Sequence, residues 1–351
     1  MLRLMVTTLL LSCFVFADTL IFTNGDQLSG ELVSATVDKI TFKSVMTGTV
    51  SVDVKNVRQL RTDKAYAVVE RQELVRAGQI EWTASTLSVM DEAGYSPVNT
   101  DPTLLVIDRV LWERAISERP GMTHGWNGQA TAGFSLLRAT QNHTSFDGSL
   151  SLARTTPGVA WLDRHSRTLL TMSGSYGRTT QEGVPELKTE VFHSEVERDR
   201  YFSPRLFVLA ISDLDHNFAQ GLSFQQGYGG GVGWSAIAEP NQSLDLRADL
   251  RYTRQAFIDD GPDKNLVGSQ MSEKYYRKLP HAMVFQEQLA ITPSFADSTA
   301  YDVHANSAFS LPLYGRFHVS LGVTESYLNE PAPGAKKNSV QFLTGLQYAF
   351  K

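Results

Sequence analysis

From Trp126 to the C-terminus, apolar and polar residues alternate with a period of two in one segment after another. Twelve such segments can be marked out, at 126–138, 144–155, 168–178, 190–202, 206–216, 222–236, 243–255, 267–279, 282–294, 300–311, 316–328 and 339–350. A strand points successive side chains to opposite faces, so each segment predicts an extended element with one apolar and one polar face. In 243–255, Leu244, Leu246, Ala248, Leu250 and Tyr252 oppose Asp245, Arg247, Asp249, Arg251 and Thr253. In 300–311, Tyr301, Val303, Ala305, Phe309 and Leu311 oppose Asp302, His304, Asn306 and Ser310. In 316–328, Phe317, Val319, Leu321 and Val323 oppose His318, Ser320, Gly322 and Thr324.

Alternation alone does not choose between a soluble sandwich, apolar face inward, and a membrane barrel, apolar face outward. Three features favour the barrel. The segments are long and numerous for a sandwich, and their spacing of about 19 residues per strand and connection suits a transmembrane β-barrel. Aromatic residues gather at segment ends, at Trp126, Tyr201, Phe202, Trp234, Tyr314, Phe317, Tyr327, Tyr348 and Phe350, as interfacial girdles require. The chain closes on Gly345-Leu346-Gln347-Tyr348-Ala349-Phe350-Lys351. Gly345, Tyr348 and Phe350 there resemble the C-terminal signal by which outer-membrane barrels are inserted, with Lys351 one residue beyond the usual end. An even strand number leaves both barrel ends in the periplasm. Short periplasmic turns are expected at Ser203-Pro204, Ala238-Glu239-Pro240 and Pro280-His281, and longer outer loops at 180–189, 256–266 and 329–338. The connection 156–167, which contains Trp161-Leu162, is longer than a periplasmic turn should be.

Before Trp126 the texture differs. Thr19 to Phe22, an Asn24-Gly25 turn of type I′ character and Gln27 to Leu32 predict a hairpin. Lys39 to Lys43, a turn at Thr47-Gly48 and Val50 to Val54 predict a second. This is a small SH3-like or Sm-like β module. A weaker echo follows at 66–110, where Ser44-Val45-Met46 recurs as Ser88-Val89-Met90 and Val50 to Leu60 resembles Leu104 to Leu111, so the module reads as a possible duplication. Residues 111–125 read as a linker, helical at Leu111 to Glu118. The chain is thus all-β, with a module over 18–110, a linker over 111–125 and an antiparallel transmembrane barrel of about 12 strands over 126–351.

Composition narrows the classes. The 351 residues are 42% hydrophobic and 20% charged, which excludes a disordered chain. Mean hydropathy is −0.19, and past residue 20 the longest uncharged stretch, about Ala219 to Ala238, is full of Gly and Gln, so no helix spans a bilayer. A net charge of −5 offers no basic patch for nucleic acid. Met1-Leu2-Arg3, the apolar run Leu4 to Phe16 and the site Val15-Phe16-Ala17 before Asp18 form a secretory signal peptide, residues 1–17. The sole cysteine, Cys13, lies inside it. Leu10-Leu11-Ser12-Cys13 also resembles a lipoprotein acylation site, with Leu11 a poor fit. Without Cys13 the mature chain has no disulfide, thiolate metal site or thiol catalyst.

Trp126-Asn127-Gly128, Glu197-Arg198-Asp199-Arg200-Tyr201, the Pro331-Ala332-Pro333-Gly334-Ala335-Lys336-Lys337 loop and the closing Leu343 to Phe350 resemble the salt-induced outer-membrane protein family, YdiY-like barrels with a domain of unknown function. Asn24-Gly25-Asp26-Gln27-Leu28-Ser29-Gly30 is similar to the periplasmic module preceding the barrel in some members. The resemblance implies a bacterial outer-membrane barrel and brings no catalytic residues.

Candidate chemistry is sparse. Asp302, His304 and Asn306, with Ser310 beyond, supply the residue types of a nucleophilic triad, but side chains two apart on one strand do not arrange nucleophile, base and orienter. No G-x-S-x-G or H-E-x-x-H occurs, and the eight histidines have no ligand spacing, so no catalytic, cofactor or metal residues are assigned. Asp245, Arg247, Asp249 and Arg251 form the sharpest charge ladder. With Asp302, His304 and Asn306 they are the candidate lumen lining, as a neutralised internal network or a selectivity lining. Gly227, Gly229, Gly231 and Gly233 share one face, as a pore-lining smooth patch or a site where another backbone packs closely. Glu287, between Phe285 and Leu289, breaks the apolar face and marks either a misjudged register or a membrane interface. The expected role is an envelope-structural barrel or a narrow passive channel. The alternatives are a lipid-acting enzyme and a binding protein working through residues 18–110. The expected partners are outer-membrane lipid, the barrel-assembly machinery through the last strand and a periplasmic partner of the module.

Overall fold

The computed structural model describes residues 17–44, 46–70, 73–83, 86–91, 94–98, 102–117, 121, 123–138, 141–159, 162–181, 183–239, 241–258, 263–295 and 299–350. Residues 1–16 of the expected signal peptide, Cys13 among them, and Trp161 and Lys351 lie outside the described residues. The chain divides into two units at Arg119/Pro120.

The first unit holds ten strands, β1 (Asp18–Phe22), β2 (Gln27–Thr36), β3 (Lys39–Ser44), β4 (Gly48–Asp53), β5 (Val57–Arg61), β6 (Tyr66–Glu70), β7 (Glu73–Thr83), β8 (Leu87–Asp91), β9 (Gly94–Val98) and β10 (Leu105–Asp108). Six of them close a small barrel in the order β1-β5-β7-β6-β10-β2, sealed by the β1–β2 pairing. Hairpins β3–β4 and β8–β9 extend from β2 and β7. The two halves, β1 to β5 and β6 to β10, therefore share one topology, and they interlock through β5–β7 and β10–β2. Neither half closes alone, because its apolar face is covered only by the other. The core is one cluster drawn from both, including Leu20, Ile40, Phe42, Ile80, Val89 and Val106.

By ladder position Gly30, opposite Asp18, matches Gly78, opposite Tyr66. A Cβ on either would meet a facing carbonyl at 2.1 Å, that of Lys43 or Met90. Phe42 then matches Val89, which leaves the Ser44 and Ser88 tripeptides three residues out of step. The first turn also differs from expectation. Ile21 pairs with Gln27, Gly25 NH bonds Phe22 O at 3.1 Å and Gly25 has φ +93°. Thr23-Asn24-Gly25 is thus a three-residue loop with a left-handed glycine, not a two-residue type I′ turn. Helix α1 (Arg109–Ser117) starts where Asp108 Oδ1 accepts from Val110 NH and Leu111 NH at 2.8 and 3.0 Å, and it buries Trp112 and Ala115.

The second unit is a closed barrel of twelve antiparallel strands in sequence order. They are β11 (Trp126–Arg138), β12 (Gln141–Thr156), β13 (Ser166–Gln181), β14 (Val184–Tyr201), β15 (Leu206–Asn217), β16 (Leu222–Glu239), β17 (Gln242–Phe257), β18 (Lys264–Lys278), β19 (Val284–Pro293), β20 (Tyr301–Tyr314), β21 (Phe317–Leu328) and β22 (Asn338–Phe350). Both chain ends of the barrel lie at one rim, the terminal end, and the opposite rim is the distal end.

The structure settles the direction of the apolar face. The barrel sheet closes on itself, and Phe146, Val208, Val232, Leu250, Met271 and Leu321 point outward and exposed. The charged face points inward, with Glu197, Asp199, Asp245, Arg247, Asp249 and Arg251 buried. Such an inside-out distribution is the requirement of a barrel solvated by lipid.

Two expectations of the barrel are corrected. Tyr201 is not part of an outer girdle; it faces inward at 8% exposure and packs on Phe207 at 5.0 Å. The segment 180–189 is not a loop, because β13 and β14 run on to a tight turn around Gly183 (φ +75°). Both faces of those strand ends meet water, so the alternation that marks the rest is lost. The connection after β12 is nonetheless long, resuming only at Ser166. Glu287 keeps the register read from sequence, opposite Tyr275 and Ser307 on the outward face. It lies three residues from the terminal-end start of β19, near the interface, where an acid costs about 0–1 kcal/mol.

Candidate functional site: the barrel lumen

The wall formed by β13 to β20 carries the charges. Nearest the terminal end, Arg167 on β13 donates to Asp199 on β14 at 2.7 Å and to Asp245 on β17 at 2.6 Å. Its guanidinium lies 5.3 Å from the Phe207 ring centre, and Ser235 Oγ donates to Asp245 at 2.7 Å. One level up, Glu197 accepts from Arg247 Nε and Lys274 Nζ, both at 2.9 Å, and Lys274 also reaches Glu195 at 2.7 Å. The Arg247 and Glu197 side chains are 1% and 0% exposed. Above them Arg251 bonds Asp213 at 2.6 Å, Asp249 at 3.2 Å and Gln270 at 2.7 Å. At the top His193 Nδ1 lies 2.6 Å from Asp215, and His304 Nε2 lies 3.5 Å from Asp302.

These ion pairs join six carboxylates (195, 197, 199, 213, 245 and 249) to four permanent cations (167, 247, 251 and 274) and Asp215 and Asp302 to the two histidines, so acids exceed permanent cations by 8 − 4 = 4. Buried charge of one sign is costly unless it is compensated, so this wall favours cations beside it.

The glycines of β16 make the wall possible. A Cβ on Gly227 would fall 2.4 Å from Asp213 Oδ1, one on Gly229 2.6 Å from Asp249 Oδ1, and one on Gly233 2.1 Å from Phe207 Cζ. Side chains of β15 and β17 thus occupy the space at Gly227, Gly229 and Gly233, while a Cβ on Gly231 would meet the β17 backbone, 2.0 Å from Ala248 O. Of the readings offered by the sequence, close packing applies, against backbone at Gly231 and against side chains at the other three.

The inward faces of β11 and β22 carry no charge. Gln129 on β11 donates to Gln286 on β19 at 2.7 Å, Gln347 donates to Gln129 at 2.6 Å, and Ser310 donates to Gln347 at 2.6 Å. Several contacts cross the bore. His193 on β14 and His304 on β20 stand on diametrically opposed strands, yet their rings lie 6.1 Å apart. At the distal end Gln220, after β15, donates to Ser326 O at 3.0 Å and Lys337 O at 2.9 Å, and Ala332 NH bonds Gln220 O at 3.2 Å. The β21–β22 loop thus straps across the mouth. Between these crossings remains a cavity of about 470 Å³, reached by Gln129, Glu195, Asp213, Gln288, His304 and Gln341 among others.

The structure therefore places Asp245, Arg247, Asp249 and Arg251 inside the barrel as two successive ion pairs, Arg247 with Asp245 and Arg251 with Asp249, and Asp302 and His304 beside the cavity. Asn306 also lines the cavity, donating to Thr324 Oγ1 at 3.1 Å. Ser310 is committed to Gln347, so no Ser–His pair assembles. Among the described residues no group of three or more His, Cys, Asp or Glu is arranged to hold a metal ion. Sequence reading missed Glu195, Glu197, Asp199, Asp213, Asp215 and Lys274. Their inward parity matches that of the residues it found, and strand adjacency alone unites them.

Several solved structures are similar in form. The KdgM porin in complex with disordered oligogalacturonate aligns over 64% of this chain and 99% of its own, at 11% identity and a TM-score of 0.34. The translocator domain of autotransporter NalP from Neisseria meningitidis aligns over 69% and 95%, at 10% identity and 0.32. The β domain of the Bordetella autotransporter BrkA aligns over 64% and 98%, at 10% identity and 0.30. No curated protein matches the sequence significantly. The family described as "Protein of unknown function, DUF481" matches residues 130–350, essentially the whole barrel, and the chain belongs to that family.

Proposed function

We propose that this protein is a bacterial outer-membrane barrel, its first unit in the periplasm, acting as a narrow passive channel that prefers cations. The excess of four buried acids along one wall carries this reading, since a charged pore lining sets ion preference. In planar bilayers under a KCl gradient, the expected result is a small conductance whose reversal potential lies on the cation side. Asp213→Asn with Asp215→Asn should reduce that preference. Silence at every voltage would overturn the channel and favour an envelope-structural barrel, a second reading to which the bonds crossing the bore lend weight.

Insertion by the barrel-assembly machinery through Gly345, Tyr348 and Phe350 belongs to the same proposal. So does the narrower likeness to salt-induced barrels, which rests on the turn motifs and predicts expression that rises with medium osmolarity.

A further inference from the structure

The barrel seam is incomplete. β11 and β22 are each 13 residues long, but they pair only from Gly128↔Phe350 to Ala132↔Leu346. Continued in register, Phe134 would face Thr344 and Leu136 would face Phe342, yet no ladder forms there. On their other sides both strands are fully paired, β11 with β12 as far as Arg138↔Asn142 and β22 with β21 as far as Tyr327↔Asn338. The β18–β19 seam is also short, but it is closed above by Gly268↔Ser294 and by Phe295 NH to Val267 O at 2.7 Å. Among the described residues, nothing comparable bridges β11 and β22 above Gly133.

The unpaired stretch lies in the distal half of the apolar band. Phe342 is 78% exposed, Phe134 66% and Leu136 54%, all directed outward. Free backbone donors and acceptors at that depth do not persist against lipid tails, which offer no hydrogen bonds. They persist where they line a polar passage. The cavity reaches this seam from inside, where Thr131 on β11 and Gln341 and Leu343 on β22 line it. The same cavity is lined by Glu195 on β14 and by Asp213 and Asp215 on β15, part of the acid excess.

We propose that the β11–β22 seam is a lateral opening through which a single-chain amphiphile with a cationic headgroup enters. Its hydrocarbon chain would lie between Phe134, Leu136 and Phe342 in the distal leaflet, and its headgroup would sit among the hydroxyls, amides and carboxylates of the cavity. This rests on the barrel spanning a membrane but not on ion conduction, so a silent bilayer recording leaves it standing.

Two experiments on the full chain test it. In the first, barrels in lipid nanodiscs are labelled with a photoreactive dodecylamine carrying a mid-chain diazirine. Adducts are expected on β11 and β22 beyond Ala132 and Leu346. A Phe134→Cys/Thr344→Cys variant, in a barrel with no cysteine of its own, should lose labelling about tenfold when oxidised and regain it on reduction. Adducts spread evenly around the belt, or adducts indifferent to the disulfide, would overturn the proposal. The second experiment needs no variant and so covers failure of the cysteine pair to fold or join. Alternate amides of 134–138 and 338–343 should exchange with deuterium far faster than those of β12 and β13, and equal protection would overturn the opening.

Discussion

A methyl group added at Gly233 would fall 2.1 Å from the Phe207 ring, which is itself fully buried. Gly233→Ala should therefore cost about 1–3 kcal/mol by overpacking. Phe207→Ala in the same chain should recover most of it, as read from the unboiled gel mobility of the folded barrel across a urea series. In the first unit, Asp18 is 2% exposed and accepts from Tyr66 Oη at 2.5 Å, Leu32 NH at 2.8 Å and Asp63 NH at 3.0 Å. Burial first, and then the Asp18 carboxylate, raise the Tyr66 phenol well above its ordinary range. A raised folded-state pKa contributes stability that is complete below the unfolded phenol value of about 10 and is lost as pH climbs beyond it. Thermal melts of the full chain should show the first unit weakening above about pH 10. Tyr66→Phe should abolish that dependence while costing about 1–3 kcal/mol at neutral pH, because a buried carboxylate loses a donor.

Among the elements, strand positions were legible because period-two alternation persists wherever one face meets lipid and the other the lumen. It failed at 180–189, where both faces meet water, and at Tyr201, where an aromatic serves the lumen instead of the girdle. The strap was not legible at all. Gln220 and the 329–337 loop are about 110 residues apart and meet only because β15 and β21 stand opposite in a twelve-stranded ring. Gln220→Ala removes the two short hydrogen bonds donated by its amide, about 1 kcal/mol each, enough to shift a closed-to-open ratio about thirtyfold. If the barrel conducts as proposed, single-channel recording should show longer or more frequent openings, with selectivity unchanged because the acid wall is untouched.

For the whole molecule, closure depends on few contacts. The last strand meets the first through five residue pairs, beginning with Phe350 opposite Gly128. Phe350→Ala should lower the yield of heat-modifiable barrel in the outer-membrane fraction while the soluble fraction retains precursor, and an unchanged yield would remove Phe350 from the insertion signal. The two units differ in how they hide their apolar surface. The first turns it inward around one shared core; the second turns it outward.

The sequence by itself determined the extended elements, their number in the barrel, and the division of each into an apolar and a polar face, since these follow from side-chain parity along a single strand. Only the tertiary structure decided which face is inside, because that depends on whether a sheet closes on itself or finds a second layer. It also decided that the two halves of the first unit make one barrel, that scattered acids and bases on six strands meet as ion-pair clusters, and that the seam stops short. Each is a relation between residues distant in the chain, and pairing and burial, not local pattern, set their partners.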